Sequence, residues 1–278
     1  MFEFVLLAIG LIGFGLAGYW DLRHTEFPDW LPYSMIILAL VVRGIFGFME
    51  NDWWVLGNSV FVGVVFLSLG LLLYFSKQWG DGDAWLLGAL GFLFPTQSDF
   101  GLTTFLPFPL TLLFNFLLVS LVYLIIYSIA LGMKNRKVNR KYLEYLREEK
   151  LKFIGFSVFF FAVSWCFAFV MYFWFSFEIG YLMQMIMLPF LLAFILFFSY
   201  YAKMVEKNLF KRRIRASELK EGDVVLNGRW RGLTEKEIGD IRKKNKYVWI
   251  KEGVRFAPVF VITMLISLFY GDLIFIFI

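Results

Sequence analysis

The sequence predicts an all-α polytopic membrane protein of about eight transmembrane helices, one of them short, with a small cytoplasmic α+β module before the last helix. Three observations lead there. The composition is 60% hydrophobic and 21% aromatic, with a mean hydropathy of +0.71 and only 18% charged residues, against about 25% charged in a soluble domain. A spanning helix needs roughly 20 apolar residues, and the runs 2–20, 31–49, 54–75, 107–132, 152–175, 180–202 and 256–278 supply them. The run 84–95 is shorter and ends at Pro95, so it crosses with help from glycine and proline bends or goes only part-way. Finally, the charges are segregated. Of 27 basic residues, 8 lie in 134–152 and 16 in 203–255, while Arg23 and Lys77 follow the first and third runs. The alternate loops carry Glu3, Glu50, Asp52, Asp99, Glu178 and Asp272 and no base. Lys and Arg mark the cytoplasmic side. The N-terminus is therefore expected outside, and the loops after the first, third, fifth and seventh long or short runs inside. This is the pattern of a multi-pass protein of the cell membrane.

The runs read as follows. The first has an acidic start at Glu3, no basic segment before it and no small-x-small cleavage site before Asp21, so it reads as a helix and not as a cleaved signal. Gly10 and Gly18 frame a face that another helix can approach closely. Asp21 closes this helix, Pro28 breaks the chain, and Asp29 is placed to N-cap the second helix. Arg43 is the one base inside a run and sits where it can snorkel to the far side. Gly80-Asp81-Gly82-Asp83 opens the short run. The stretch Lys134–Lys150 reads as a basic loop continuing into a short helix against anionic lipid headgroups, and Lys211-Arg212-Arg213-Ile214-Arg215 reads the same way. In 203–255, Asp223-Val224-Val225-Leu226 and Tyr247-Val248-Trp249-Ile250 read as strands. Thr234-Glu235-Lys236-Glu237 reads as a capping box opening a helix to Lys244. The expected division is 1–132 with both aspartate motifs, 133–202 with the basic loop and two further helices, the module 203–255, and the final helix 256–278.

Residue types then limit the chemistry. One cysteine, Cys166, and one histidine, His24, provide neither a disulfide framework nor a Cys- or His-based zinc site. No metal or cofactor is called for. The bases lie where the membrane rule alone puts them, so nucleic acid is not an expected partner. His24 is expected inside, whereas Ser59 lies near the outer end of the third run. Much of a bilayer core about 30 Å thick separates them, so no Ser–His pair forms. The acidic Gly80–Asp83 segment repels phosphate. What remains is a carboxylate pair drawn from Asp21 and the Gly80–Asp83 segment, both at cytoplasmic helix ends. A charge at membrane depth costs about 2.5–3.5 kcal/mol on insertion scales, which argues for use over accident. Two close carboxylates share a proton. One can take a proton from water while the other protonates a carbonyl oxygen or the leaving amine, as in aspartyl proteases. Gly80 and Gly82 have no side chain to hinder a substrate backbone approaching the pair.

These residues also carry a family resemblance. Asp21-Leu22-Arg23-His24-Thr25-Glu26-Phe27-Pro28-Asp29 resembles the first aspartate motif of the type IV prepilin peptidases, and Gly80-Asp81-Gly82-Asp83 with the small-residue run after it resembles their Gly-x-Gly-Asp motif. Together these cover about 15–95. The segment from Gly232-Leu233-Thr234-Glu235 to Phe256-Ala257-Pro258 is similar to the soluble module and final helix of the archaeal branch, the preflagellin (prearchaellin) peptidases. The resemblance implies that Asp21 and Asp83 are the catalytic pair and that Asp81, at the variable motif position, is not essential. It implies membrane-embedded precursor substrates with a short basic leader and a long apolar helix, cut at the cytoplasmic face, with membrane lipids around them. Asp81, Glu26 and Asp29 are then candidates for attracting the leader's Lys or Arg. Phe27 stands where the bacterial pattern has Leu, and Ala84-Trp85 replaces a typical Phe/Ala-Lys. The bacterial methyltransferase module with its cysteine tetrad is missing, so the resemblance implies cleavage without N-methylation.

Two other readings compete. Presenilin-like and signal-peptide-peptidase-like proteases also use Gly-x-Gly-Asp, but Trp20 separates Tyr19 from Asp21, and Phe256-Ala257-Pro258 lacks the Pro-Ala-Leu order. A proton-coupled transporter would use the two aspartates as a relay. It would call for an inverted repeat with paired broken helices and acids near the midplane, and the sequence has neither.

Overall fold

A computed structural model describes residues 2–97, 104–175, 179–205, 208, 210–219, 224–226, 233–251 and 253–273. In chain order the elements are α1 (Phe2–His24), α2 (Trp30–Met49), α3 (Trp54–Phe75), α4 (Asp81–Leu93), α5 (Phe108–Lys134), α6 (Arg136–Glu148), α7 (Lys150–Phe175), α8 (Ile179–Val205), β1 (Lys211–Arg215), β2 (Val224–Val225), α9 (Glu235–Lys244), β3 (Tyr247–Lys251) and α10 (Pro258–Phe269). Each of the eight apolar runs forms a helix. Their lengths differ from expectation, however. Among the described residues five helices are long and apolar enough to cross a membrane: α1, α2, α3, α5 and the 150–170 part of α7. The protein is thus multi-pass, but α4 with 13 residues and α10 with 12 do not span by themselves. At 1.5 Å per residue each is about 20 Å long, against a core of about 30 Å. The loop acids Asp99 and Glu178, and the start of the strand expected from Asp223, lie outside the described residues.

The chain divides into two compact units. The first comprises Met1–Leu124, Lys220–Ile238 and Glu252–Ile278. Its centre is α4, whose residues 84 and 86–93 are all buried. The buried side of α1 is Leu6, Gly10, Gly13, Phe14, Ala17, Gly18 and Asp21, recurring at three- and four-residue spacing. That face meets α10 as its small residues suggest: a Cβ at Gly10 would stand 2.7 Å from Met264 Sδ, and one at Gly18 would stand 3.4 Å from Pro258 Cα.

A helix that stops inside such a core leaves carbonyls to be satisfied. Here Arg43 Nη2 donates to the Leu93 carbonyl at 2.8 Å, and Ser59 Oγ donates to the Phe92 carbonyl at 2.6 Å. Arg43 therefore does not snorkel as expected. It is 4% exposed and caps the negative end of α4, where a cation is favoured. Ser59, fully buried, does the neighbouring job. Asp29 also departs from expectation. It stands at the N-cap position of α2 with φ −58° and ψ −30° and makes no side-chain cap bond, because a capping side chain needs a β-region backbone to reach the free N–H groups.

The opposite end of α10 is tied to the start of α5. Asp272 is buried; its Oδ2 accepts the Phe105 and Leu106 N–H groups at 2.6 and 3.3 Å, and its Oδ1 accepts the Thr111 hydroxyl. Asn115 Nδ2 donates to Ser267 Oγ at 3.0 Å and to the Gly271 carbonyl at 2.7 Å.

The second unit comprises Ile125–Leu219 and Gly239–Lys251. The basic stretch after α5 does form a helix, α6. It is held by packing and not only by charge: Tyr142 Oη donates to the Phe197 carbonyl at 2.9 Å, and Tyr145 meets Phe153 edge-on and Tyr200 at a tilt. The Lys211–Arg215 cluster, read as a headgroup patch, is a strand instead. β1 pairs antiparallel with β3 in the register Lys211↔Lys251 to Arg215↔Tyr247. Val248 and Ile250 of β3 are buried while Tyr247 and Trp249 are exposed, the period-2 alternation of a half-buried strand. Arg242 joins the helical and strand parts of this unit, donating to the carbonyls of Ala216 and Leu219 at 3.2 and 2.9 Å. In the part of the chain before Gly239, which belongs to the first unit, the expected capping signal appears, with Thr234 N–H donating to Glu237 Oε2 at 3.0 Å ahead of α9.

Candidate active site

Asp21 lies in the last turns of α1, and its side chain is 4% exposed. The helix ends just beyond it, where Thr25 donates its N–H to the Asp21 carbonyl at 2.8 Å and turns to a positive φ of 68°. The carboxylate is met by a segment far along the chain. Ala257 donates its N–H to Asp21 Oδ2 at 2.8 Å, the Phe256 N–H faces the same group, and the Arg255 charge lies within electrostatic range. Pro258 opens α10 directly after these residues. Proline suits the first helical position, where an N–H has no helical partner anyway, and the free amides before it are good anion donors.

Asp83 enters from a different helix. It lies in the first turn of α4, partly buried, with the Gly80 amide facing its carboxylate. Gly80 is the N-cap with extended backbone, φ −73° and ψ 157°. Asp83 and Asp21 are close enough to act on one another electrostatically. The pair singled out by the sequence is therefore gathered at one end of the first unit.

The remaining expected site residues separate into two groups. Asp81 and Asp29 are exposed and interact electrostatically, and the Trp85 side chain bonds to Asp81. Tyr33 of α2 meets Trp85 edge-on at 4.6 Å, which holds the two helix starts together. Glu26 is exposed on the α1–α2 connection. His24 is exposed as well. Gly82 differs from its expected part as an open approach. A Cβ there would stand 2.6 Å from Phe27 Cζ, so the Phe27 ring fills the space. The two motifs thereby touch directly: the larger residue at 27 is accommodated by the missing side chain at 82. Gly80 stays exposed, and a Cβ there would meet Asp83 Oδ2 only at 3.4 Å.

Three features escaped the sequence reading. The amides before α10 were seen only as a lead into a helix, although Ala257-Pro258 is a signal for exposed helix-start donors. The aromatic floor of this end was not foreseen: Phe256 packs against Trp79 at 5.5 Å, Phe116 at 6.0 Å and Phe260 at 6.0 Å. Nor was the anchor Tyr123, whose hydroxyl donates to the Arg255 carbonyl.

Residues 8–130, which include both aspartates, match the model of the type IV leader peptidase family. The chain is 27% identical over 164 residues, 55% of its length, to the prepilin peptidase EppA of Methanothermobacter thermautotrophicus. It is 31% identical over 98 residues, 35% of its length, to the preflagellin peptidase of Methanocaldococcus jannaschii. These matches span 42% and 40% of the two relatives. No solved structure matches the chain.

Proposed function

We propose that this protein is a membrane aspartyl endopeptidase that removes the short basic leader from archaeal prepilin- or prearchaellin-type precursors at the cytoplasmic face. The observation that carries this reading is the meeting of Asp21 and Asp83, from two helices, at one end of a unit matched by the leader peptidase family. Asp21 and Asp83 are its catalytic residues. One carboxylate takes a proton from the attacking water, and the other donates a proton to the scissile carbonyl oxygen. The precursor's apolar helix lies among the spans, and its basic leader stays on the side rich in Lys and Arg. Asp81, Asp29 and Glu26 form an acidic rim that draws the leader's bases. The product keeps an unmethylated N-terminus.

The test is co-expression with candidate precursors in membranes, read as a mobility shift and as the mass of the new N-terminus. Asp21→Asn and Asp83→Asn are expected to abolish the shift. Full cleavage by the Asp83 variant overturns the mechanism. Charge-reversed leaders tested against Asp29→Lys and Glu26→Lys check the rim, and no compensation between them removes it from the account.

A further inference from the structure

We propose that the two aspartates are made unequal by the segment before α10: Arg255 and the Phe256 and Ala257 amides make Asp21 the ionised member that activates water, leaving Asp83 as the member that carries the proton. This rests on the reading of Asp21 and Asp83 as the catalytic pair. It assigns Arg255, Phe256 and Ala257 as positioning residues that nothing in the two aspartate motifs points to.

The surroundings of the two carboxylates differ in kind. Asp21 has a 2.8 Å bond from the Ala257 N–H, the Phe256 N–H beside it, and the Arg255 cation in range. Asp83 has the Gly80 amide alone. Helix ends must also be weighed. Asp21 sits near the C-terminal, negative end of α1, equivalent to about half a charge, and faces the N-terminal, positive end of α10, which offsets it. Against the cost of its burial, the Ala257 N–H bond and, after it, the Arg255 cation then favour the charged form of Asp21. Asp83 sits in the first turn of α4, whose positive end offers it about half a charge, less than the Arg255 cation and the 2.8 Å Ala257 bond given to Asp21.

Among the described residues, no other charged group contests the assignment. The charges acting on Asp21 are Arg255 and, from α4, Asp83. On α1 itself, Arg23 turns to Tyr19, donating to its hydroxyl at 2.7 Å. Asp29 at the start of α2 acts on Asp81 instead. The donors are also held rigidly. Tyr123 bonds the Arg255 carbonyl, and the Phe256 ring is packed among Trp79, Phe116, Tyr123 and Phe260. Donors already in place need no reorganisation when charge moves between the two acids.

The proton balance follows. Water adds to the scissile carbonyl carbon, its proton passes to the Asp21 carboxylate, and the Asp83 carboxyl proton passes to the carbonyl oxygen, leaving a gem-diol. The C–N bond then breaks. Asp21 returns its proton to the leaving nitrogen, and the Asp83 carboxylate takes one diol proton as the new carboxylic acid forms. Both groups end as they began.

The experiment is the pH profile of kcat/KM for cleavage of a precursor by the full-length protein in membranes. The ascending limb reports the base and the descending limb the acid. Removing a cation makes an acid harder to ionise. Arg255→Gln is therefore expected to move the ascending limb up by about one pH unit and to leave the descending limb in place. Arg255→Lys is expected to restore the original profile. Ala257→Pro deletes the donor N–H at a residue whose φ of −55° already suits proline, and is expected to move the same limb the same way. It decides by the same criterion if Arg255→Gln gives too little folded protein. Movement of the descending limb, or no movement in either variant, overturns the assignment. In that case loss of cleavage in Asp21→Asn and Asp83→Asn still stands for the catalytic pair, whereas cleavage by both of those variants removes the pair and this inference with it.

Discussion

The first unit carries a buried acid at each end, and the two ends treat it in opposite ways. Asp272 accepts from the Thr111 hydroxyl and from the Phe105 and Leu106 N–H groups, so both its oxygens are engaged. It joins α10 to the start of α5. At the other end, Asp21 and Asp83 lie within electrostatic range of each other, Asp21 with the Ala257 and Phe256 amides and Asp83 with that of Gly80. A fully bonded carboxylate is a structural tie, since any change of protonation breaks bonds. Two partly bonded carboxylates within electrostatic range of each other titrate as a coupled pair. Burial alone therefore does not mark a reactive acid; what matters is the partner it is given.

This contrast can be broken at either end. The largest effect is expected at the pair. On the proposed mechanism, Asp21→Asn or Asp83→Asn lowers cleavage by about a thousandfold or more while thermal unfolding of the purified protein changes little. Asp272→Ala is expected to do the reverse. It strands two N–H groups and a hydroxyl, costs about 3 kcal/mol of stability, and leaves the specific activity of the folded fraction intact. Loss of activity at unchanged stability would make the Asp272 end functional and dissolve the comparison. Gly82→Ala comes next, since its new Cβ meets the Phe27 ring at 2.6 Å. Its loss of cleavage is expected to be recovered in part by Phe27→Leu, with a coupling of about 1 kcal/mol in a double-mutant cycle. Strict additivity would mean that the two motifs do not lean on each other. The smallest effect is expected for Asp81→Asn, an exposed acid beside the pair, which keeps most of the cleavage rate.

Much of this was readable in residue order. Glycine spacing in the first run marked the face that α10 meets at Gly10 and Gly18. Loop charge and the break at Pro28 located helix ends. Asp21 and Asp83 stood out because an acid closing an apolar run is costly and easily seen. Other residues were misread because their partners are distant in sequence. Arg43 looked like a snorkelling base until α4 was found to end against it, at Leu93. Lys211–Arg215 looked like a headgroup patch because nothing local revealed β3 as its partner. Gly82 looked like open space because the ring that fills it comes from Phe27, across the α1–α2 connection.

The sequence by itself determined the membrane class, the positions of the apolar runs and the two acids to watch. Those properties are sums and spacings of transfer free energy along the chain, and they need no partner to be evaluated. Only the tertiary structure decided that α4 stops short and is capped by Arg43 and Ser59, that Asp272 is saturated, and that the amides before α10 reach Asp21. Each of these joins residues dozens of positions apart. A hydrogen bond depends on where two groups end up and not on how far along the chain they lie, so the environment of each acid became visible only once the helices were packed.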